Sequence, residues 1–262
     1  MSNDPALRIH SSFLRCVSAP GTTTVRLPES LTSPVDALVF DLDGVLYDHT
    51  TWQRWLLQLL GKLGLHTNYT LFFRVWDCDY AQQVAWGNLP YWTAMRSFLL
   101  ATGLSSGQVD EVEAAGRSRF SAAEQRIRPF PNVRSSLRQL SLRGLKLNLV
   151  TAFPWTRQQL TDRLGRLEIV NLFSYTASAR DWPQTTPAKQ RLAESLDAAG
   201  LDSARTAYVG RLNGELQAAA QLGMPTIAFN QEPDASADFQ LEQFDTLPHM
   251  IPSDTVRLLA AG

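Results

Sequence analysis

Four short, mostly apolar runs constrain this chain most: residues 35–40 (VDALVF), 145–150 (LKLNLV), 206–209 (TAYV) and 226–229 (TIAF). A weaker run lies at residues 173–177. A run that is apolar on both faces suits a strand covered from above and below. Between the runs lie helical patterns at residues 133–142, 156–164, 188–199 and 214–222. Strands that alternate with helices of this length imply right-handed crossovers and a parallel sheet with helices on both faces. In such an α/β sheet, ligands bind beyond the carboxyl ends of the strands. The residues that follow each strand are therefore where chemistry is expected.

Residues 49–128 interrupt the rhythm. They hold five of the seven tryptophans (Trp52, Trp55, Trp76, Trp86 and Trp92) and no strand-like run. Trp52, Trp55, Leu56, Leu59, Leu60 and Leu63 recur at spacings of three and four. Val109, Val112, Gly116 and Phe120 do the same in a helix that Ser105 or Ser106 can cap. This stretch reads as an all-helical cap subdomain inserted into a core made of residues 35–48 and 129–250. Its tryptophans either fill its own small core or line a substrate pocket. Residues 1–34, rich in Pro, Ser and Thr, read as a poorly ordered extension or an arm draped on the core. Residues 251–262 read as a C-terminal tail.

Composition excludes several functions. Lys plus Arg number 24 and Asp plus Glu 25, so no concentrated positive field is available to coat a nucleic acid or a membrane. Cys16 and Cys78 are too few for a disulfide framework or a four-ligand zinc site. No apolar run is long enough to span a membrane, and no secretory signal is visible, so the expected compartment is the cytoplasm. Asn68-Tyr69-Thr70 matches a glycosylation acceptor and is read as coincidence.

The chemistry-bearing signal is Asp41-Leu42-Asp43-Gly44-Val45-Leu46-Tyr47-Asp48 after the first run. Two carboxylates at i and i+2 at the end of a buried strand face one way where strand geometry persists. Gly44 lets the chain turn. Like charges this close need a cation or a shared proton, and that cost marks a site.

The run LVFDLDGVLYD resembles the first motif of the haloacid dehalogenase-like hydrolase superfamily. The resemblance implies a Rossmann-like core, with Asp41 as the nucleophile that takes a phosphoryl group and Asp43 as the general acid/base. LKLNLVT is similar to the second motif, which implies that Thr151 and the backbone of Ala152 hold the phosphoryl oxygens. Pro129-Phe130-Pro131-Asn132-Val133 is similar to the family's re-entry from cap to core. The third motif offers a Lys before Pro; here Thr186 precedes Pro187, which leaves Lys189, or with weaker placement Arg180, as the candidate cation. The fourth motif reads Val209-Gly210-Arg211-Leu212-Asn213-Gly214-Glu215, with Arg211 where an acidic metal ligand is usual and Glu215 as the remaining acid.

The resemblance thus implies magnesium held by Asp41, the Asp43 carbonyl and Glu215, weakly or not at all because of Arg211. Three arrangements stay open. Arg211 swings outward and a weakened magnesium phosphatase remains; its guanidinium takes the metal's place; or the chain is a metal-free hydrolase that attacks carbon, against which Asp43 counts. The implied function is a phosphatase acting on a small phosphorylated metabolite. The alternative is a non-catalytic binding or regulatory protein. Neither nucleic acid nor membrane is an expected partner.

Overall fold

The computed structural model describes Leu31 and residues 34–252. Apart from Leu31, Pro34, Ile251 and Pro252, the expected N-terminal extension and C-terminal tail lie outside the described residues. The described residues group into two compact units, one spanning His49–Arg126 and the other formed by the chain up to Asp48 and from Ile127 onward.

The second unit is built on six parallel strands: β1 (Ala37–Phe40), β2 (Lys146–Thr151), β3 (Tyr175–Ser178), β4 (Thr206–Gly210), β5 (Thr226–Phe229) and β6 (Phe239–Leu241). Their order is β3-β2-β1-β4-β5-β6. The chain moves to one side of β1 for β2 and β3, then crosses to the other side for β4. The strand order therefore reverses at β1 and β4, and a ligand crevice opens at such a point. β6 has no counterpart in the apolar pattern, because its three residues include Gln240 and two of them are only half-buried.

Strand alternation sorts the core into two layers. Leu38, Phe40, Leu147, Leu149, Val209 and Ile227 share one layer with Val133, Leu137 and Leu140 of α6 (Val133–Leu142) and Leu160 and Leu164 of α7 (Arg157–Arg166). Val39, Val150, Tyr208 and Ala228 share the other with Leu192 and Leu196 of α8 (Ala188–Ala199) and Leu216 and Ala219 of α9 (Asn213–Ala220). Each fully buried leucine contributes roughly 1.5–3 kcal/mol. The helices thus cover both faces of the sheet. Thr156 starts α7 with a capping box to Gln159, satisfying two otherwise orphaned amides.

The first unit is helical: α1 (Thr51–Lys62), α2 (Tyr69–Trp76) running through a π-turn (Asp77–Ala81) into α3 (Gln82–Ala85), α4 (Tyr91–Ala101) and α5 (Ser106–Gln125). Ser105, not Ser106, caps α5 through a capping box with Gln108. Leu56, Leu60, Phe72, Met95, Phe98, Val109 and Val112 form its core. Trp76 belongs to that core, and Trp52 stacks on Trp55 with ring centroids 4.9 Å apart and hydrogen-bonds Tyr91. No helix of the described residues is long and apolar enough to cross a membrane.

Candidate active site

Asp41 is the first residue beyond β1. Its amide bonds the carbonyl of Val209 at 2.9 Å, extending the β1–β4 ladder by one rung, and its side chain is 2% exposed. Oδ1 accepts from the amide of Leu42 at 2.7 Å. Burial, then Asp43 and Glu215, push the Asp41 carboxyl up from 3.8 to about 7, and the amide of Leu42 and the charge of Arg211 offset only part of this. The two acids of the first motif therefore feel one another.

Asp43 is fixed by a turn. Gly44 sits at φ 77°, a conformation a side chain would disfavour, and its amide bonds the carbonyl of Tyr47 at 3.1 Å. The turn brings Tyr47 back to Asp43, whose Oδ1 accepts from the Tyr47 hydroxyl. Oδ2 accepts from Nε1 of Trp155 at 3.1 Å. Both Asp43 side-chain oxygens are thus held in place by neighbouring donors. Behind it lies Arg163, buried on α7, donating to the Tyr47 hydroxyl at 3.0 Å. Its guanidinium carbon lies 4.1 Å from the ring centroid of Trp155 and 5.3 Å from that of Tyr47. A buried cation is thus shared between two aromatic faces and a phenol that donates to the Asp43 side chain.

Thr151 ends β2, buried, and its Oγ1 accepts from the amide of Phe153 at 3.3 Å. Ala152 follows it, half-buried. The loop beyond is tied to the end of β3: Ser178 Oγ donates to the Trp155 carbonyl at 2.6 Å, and Arg180 Nε to the Pro154 carbonyl at 2.9 Å. Arg180 thus braces the loop that carries Trp155.

β4 ends at Gly210, where a Cβ would lie 2.4 Å from Cε1 of Tyr208. Only glycine leaves room for that ring. The buried Tyr208 hydroxyl has no hydrogen-bond partner among the described residues, and burial together with Asp41 and Glu215 pushes the phenol's pKa up. Arg211 turns inward rather than outward: its Nε donates to the backbone carbonyl of Asp43 at 3.0 Å. Glu215, 9% exposed in the first turn of α9, accepts at Oε1 from Nη2 of Arg191 at 2.8 Å. Burial raises its pKa and Arg191 offsets part of the rise.

Lys189 is exposed and shares no hydrogen bond or ion pair with these groups. Arg191 is the inward cation of α8, anchored also to the Thr186 carbonyl at 2.6 Å. It shares a helix face with buried Ser195 one turn on. Trp155, Arg163, Arg191 and Tyr208 are absent from the sequence reading of the site, and Tyr47 entered it only as part of the DLDGVLYD run, with no role. Each acts through a partner distant in the chain or holds no motif position, so no local pattern marked it.

A magnesium ion takes near-octahedral oxygen ligands. Here the Asp43 carbonyl accepts from Arg211 and Glu215 accepts from Arg191. A divalent ion about 4 Å from a guanidinium meets roughly 8 kcal/mol of repulsion at an effective dielectric near 20. Among the described residues, no group of three His, Cys, Asp or Glu side chains is placed to hold a metal. The donor set does not fit magnesium.

Residues 35–223 match the family model described as haloacid dehalogenase-like hydrolase. Over 132 residues the chain is 26% identical to the glyceraldehyde 3-phosphate phosphatase of Methanocaldococcus jannaschii, covering 48% of this chain and 57% of that protein. The chain thus aligns with little more than half the length of this relative. Among solved structures, the L-2-haloacid dehalogenase of Xanthobacter autotrophicus superposes with a TM-score of 0.58 at 17% identity, covering 83% of this chain and 98% of that one. A HAD family hydrolase from Deinococcus radiodurans, with bound phosphate and sodium, gives a TM-score of 0.58 at 16% identity over 83% and 98%. Structural likeness at such identities speaks to the fold alone.

Proposed function

Taking as premise that this chain belongs to the haloacid dehalogenase-like hydrolases, we propose that it hydrolyses a small phosphorylated metabolite through an aspartyl-phosphate intermediate. The observation that carries this reading is a buried Asp41 carboxyl at the mouth of β1 beside Asp43, whose two side-chain oxygens are held in place. Asp41, ionised, attacks phosphorus, and the ester P–O bond breaks with its electron pair leaving on the alcohol oxygen, which takes the proton that Asp43 carries in its acid form and leaves Asp43 a carboxylate. Asp43 then removes a proton from the water that opens the acyl-phosphate, regenerating Asp41 and releasing inorganic phosphate. The Thr151 hydroxyl and the Ala152 amide steady the transferring oxygens. Likeness to a named phosphatase supports a phosphate ester as substrate.

Charge decides how fast this runs. Two unit charges about 4 Å apart repel by roughly 4 kcal/mol at an effective dielectric of 20, and each 1.4 kcal/mol is about tenfold in rate. Hydrolysis of an aryl phosphate by the wild type and by Asp41→Asn tests the reading. The expected result is turnover that Asp41→Asn loses. A second reading, a binding protein that keeps the fold, is favoured by Glu215 being already paired with Arg191. Equal inertness of both proteins across a broad panel of phosphate esters selects it.

A further inference from the structure

We propose that Arg211 receives the phosphoryl oxygens through its two Nη groups, and that this guanidinium takes the place of a divalent metal in the site. The inference rests on the hydrolase reading above and adds to it the identity of the cation.

Three observations lead there. Arg211 holds the turn through Nε alone, on the Asp43 carbonyl at 3.0 Å. Its two Nη groups have no hydrogen-bond partner among the described residues, and neither is among the buried unpartnered atoms. A half-buried guanidinium with a bonded Nε and two accessible Nη donors is suited to grip a phosphoryl group in a fork. Its aim is also fixed. The Arg211 carbonyl accepts from the amide of Glu232 at 3.1 Å, and Glu232 Oε2 accepts from the amide of Asn213 at 3.3 Å, so the backbone from Arg211 to Asn213 is tied to the segment after β5. On the other side, the Gly44 carbonyl accepts from Asn230 Nδ2 at 3.2 Å, so the turn that Arg211 touches is anchored to the same segment.

The ligands a metal would use are committed elsewhere. The Asp43 carbonyl is occupied by Arg211 itself. Glu215 is bound to Arg191, which also donates to Thr186. Freeing Glu215 for a metal would strand a largely buried arginine without its partner, a costly change.

The test uses the full chain after treatment with a chelator, with inorganic phosphate as the probe in calorimetry and an aryl phosphate in turnover. Phosphate affinity and turnover are expected to stay within about twofold between chelator and millimolar magnesium. Arg211→Ala is expected to weaken phosphate binding by at least tenfold, and Arg211→Lys, which keeps the charge without the fork, by an intermediate factor. Arg211→Asp is expected to acquire magnesium binding, read as heat and as a magnesium-dependent rise in melting temperature that the wild type lacks. A wild type that binds magnesium and loses phosphate affinity in chelator overturns the inference, as does an Arg211→Ala protein that stays folded by circular dichroism with unchanged phosphate affinity. Metal-free phosphate binding through Arg211 without turnover upholds this inference and removes the hydrolase reading. Magnesium-dependent turnover that ignores Arg211→Ala does the reverse.

Discussion

The turn after β1 and the loop after β4 lie side by side at one end of the sheet and are held by opposite strategies. After β1, an acidic pair is kept in place by neutral and aromatic donors, with Asp43 held by Tyr47 and Trp155 and backed by Arg163. After β4, the glycine frame is kept but the charge is inverted, and Arg211 reaches across to the Asp43 carbonyl. The difference teaches that the scaffold of a charged site and the sign of its charges are set separately. Gly210 is demanded by the Tyr208 ring whatever follows it. The next residue is free to be acid or base, and that choice decides which cation the neighbouring turn meets.

The comparison is broken most sharply at Asp41. Asn there should cost at least about a thousandfold in turnover, because the covalent step loses its nucleophile. The same variant should gain stability. A carboxyl raised from 3.8 to about 7 binds its proton more tightly in the folded state, so stability is highest below the ordinary value and drains as pH rises toward 7. The loss is on the order of 4 kcal/mol, complete above pH 7. Urea melts at pH 4 and pH 8 should show the gap between Asp41→Asn and wild type opening with pH; a constant gap would mean the carboxyl is not desolvated. Activity should climb through the same window as the nucleophile ionises.

On the β4 side, Arg191→Ala should destabilise by about 3 kcal/mol, since it strands Glu215 as a buried charge. Adding Glu215→Gln should restore most of that, and a double-mutant cycle measures the recovery. The smallest expected effect is on the β1 side. Tyr47→Phe removes one donor to Asp43 and should lower kcat about tenfold with KM changed less than twofold. A matching rise in KM would show that Tyr47 serves ligand binding rather than the placement of Asp43.

How much was legible follows from how far apart the partners lie. The apolar runs and the DLDG turn are local, so periodicity and backbone demands reveal them, while the frame around Gly210 came with the family resemblance. Thr151 drew attention through the likeness of LKLNLVT to the second family motif, and the helical pattern at residues 156–164 marked the start of α7. Trp155 meets Asp43 across 112 positions and Arg163 meets Tyr47 across 116, and no local pattern announces either pair. Lys189 drew attention because the resemblance expects a lysine at Thr186, and Lys189 lies three residues on. In α8 the residue two positions on is the one that turns inward to Glu215.

By itself, the sequence determined the alternation of strands and helices, the acidic turn after β1 and the presence of a guanidinium after β4, because each depends on neighbours in the chain. Only the tertiary structure decided what that guanidinium touches, which cation pairs with Glu215 and which aromatic groups hold Asp43. Those outcomes depend on the order of strands in the sheet, which brings the ends of β1, β2 and β4 together. Electrostatic and hydrogen-bond energies fall off over a few ångströms of space, whatever the separation along the chain.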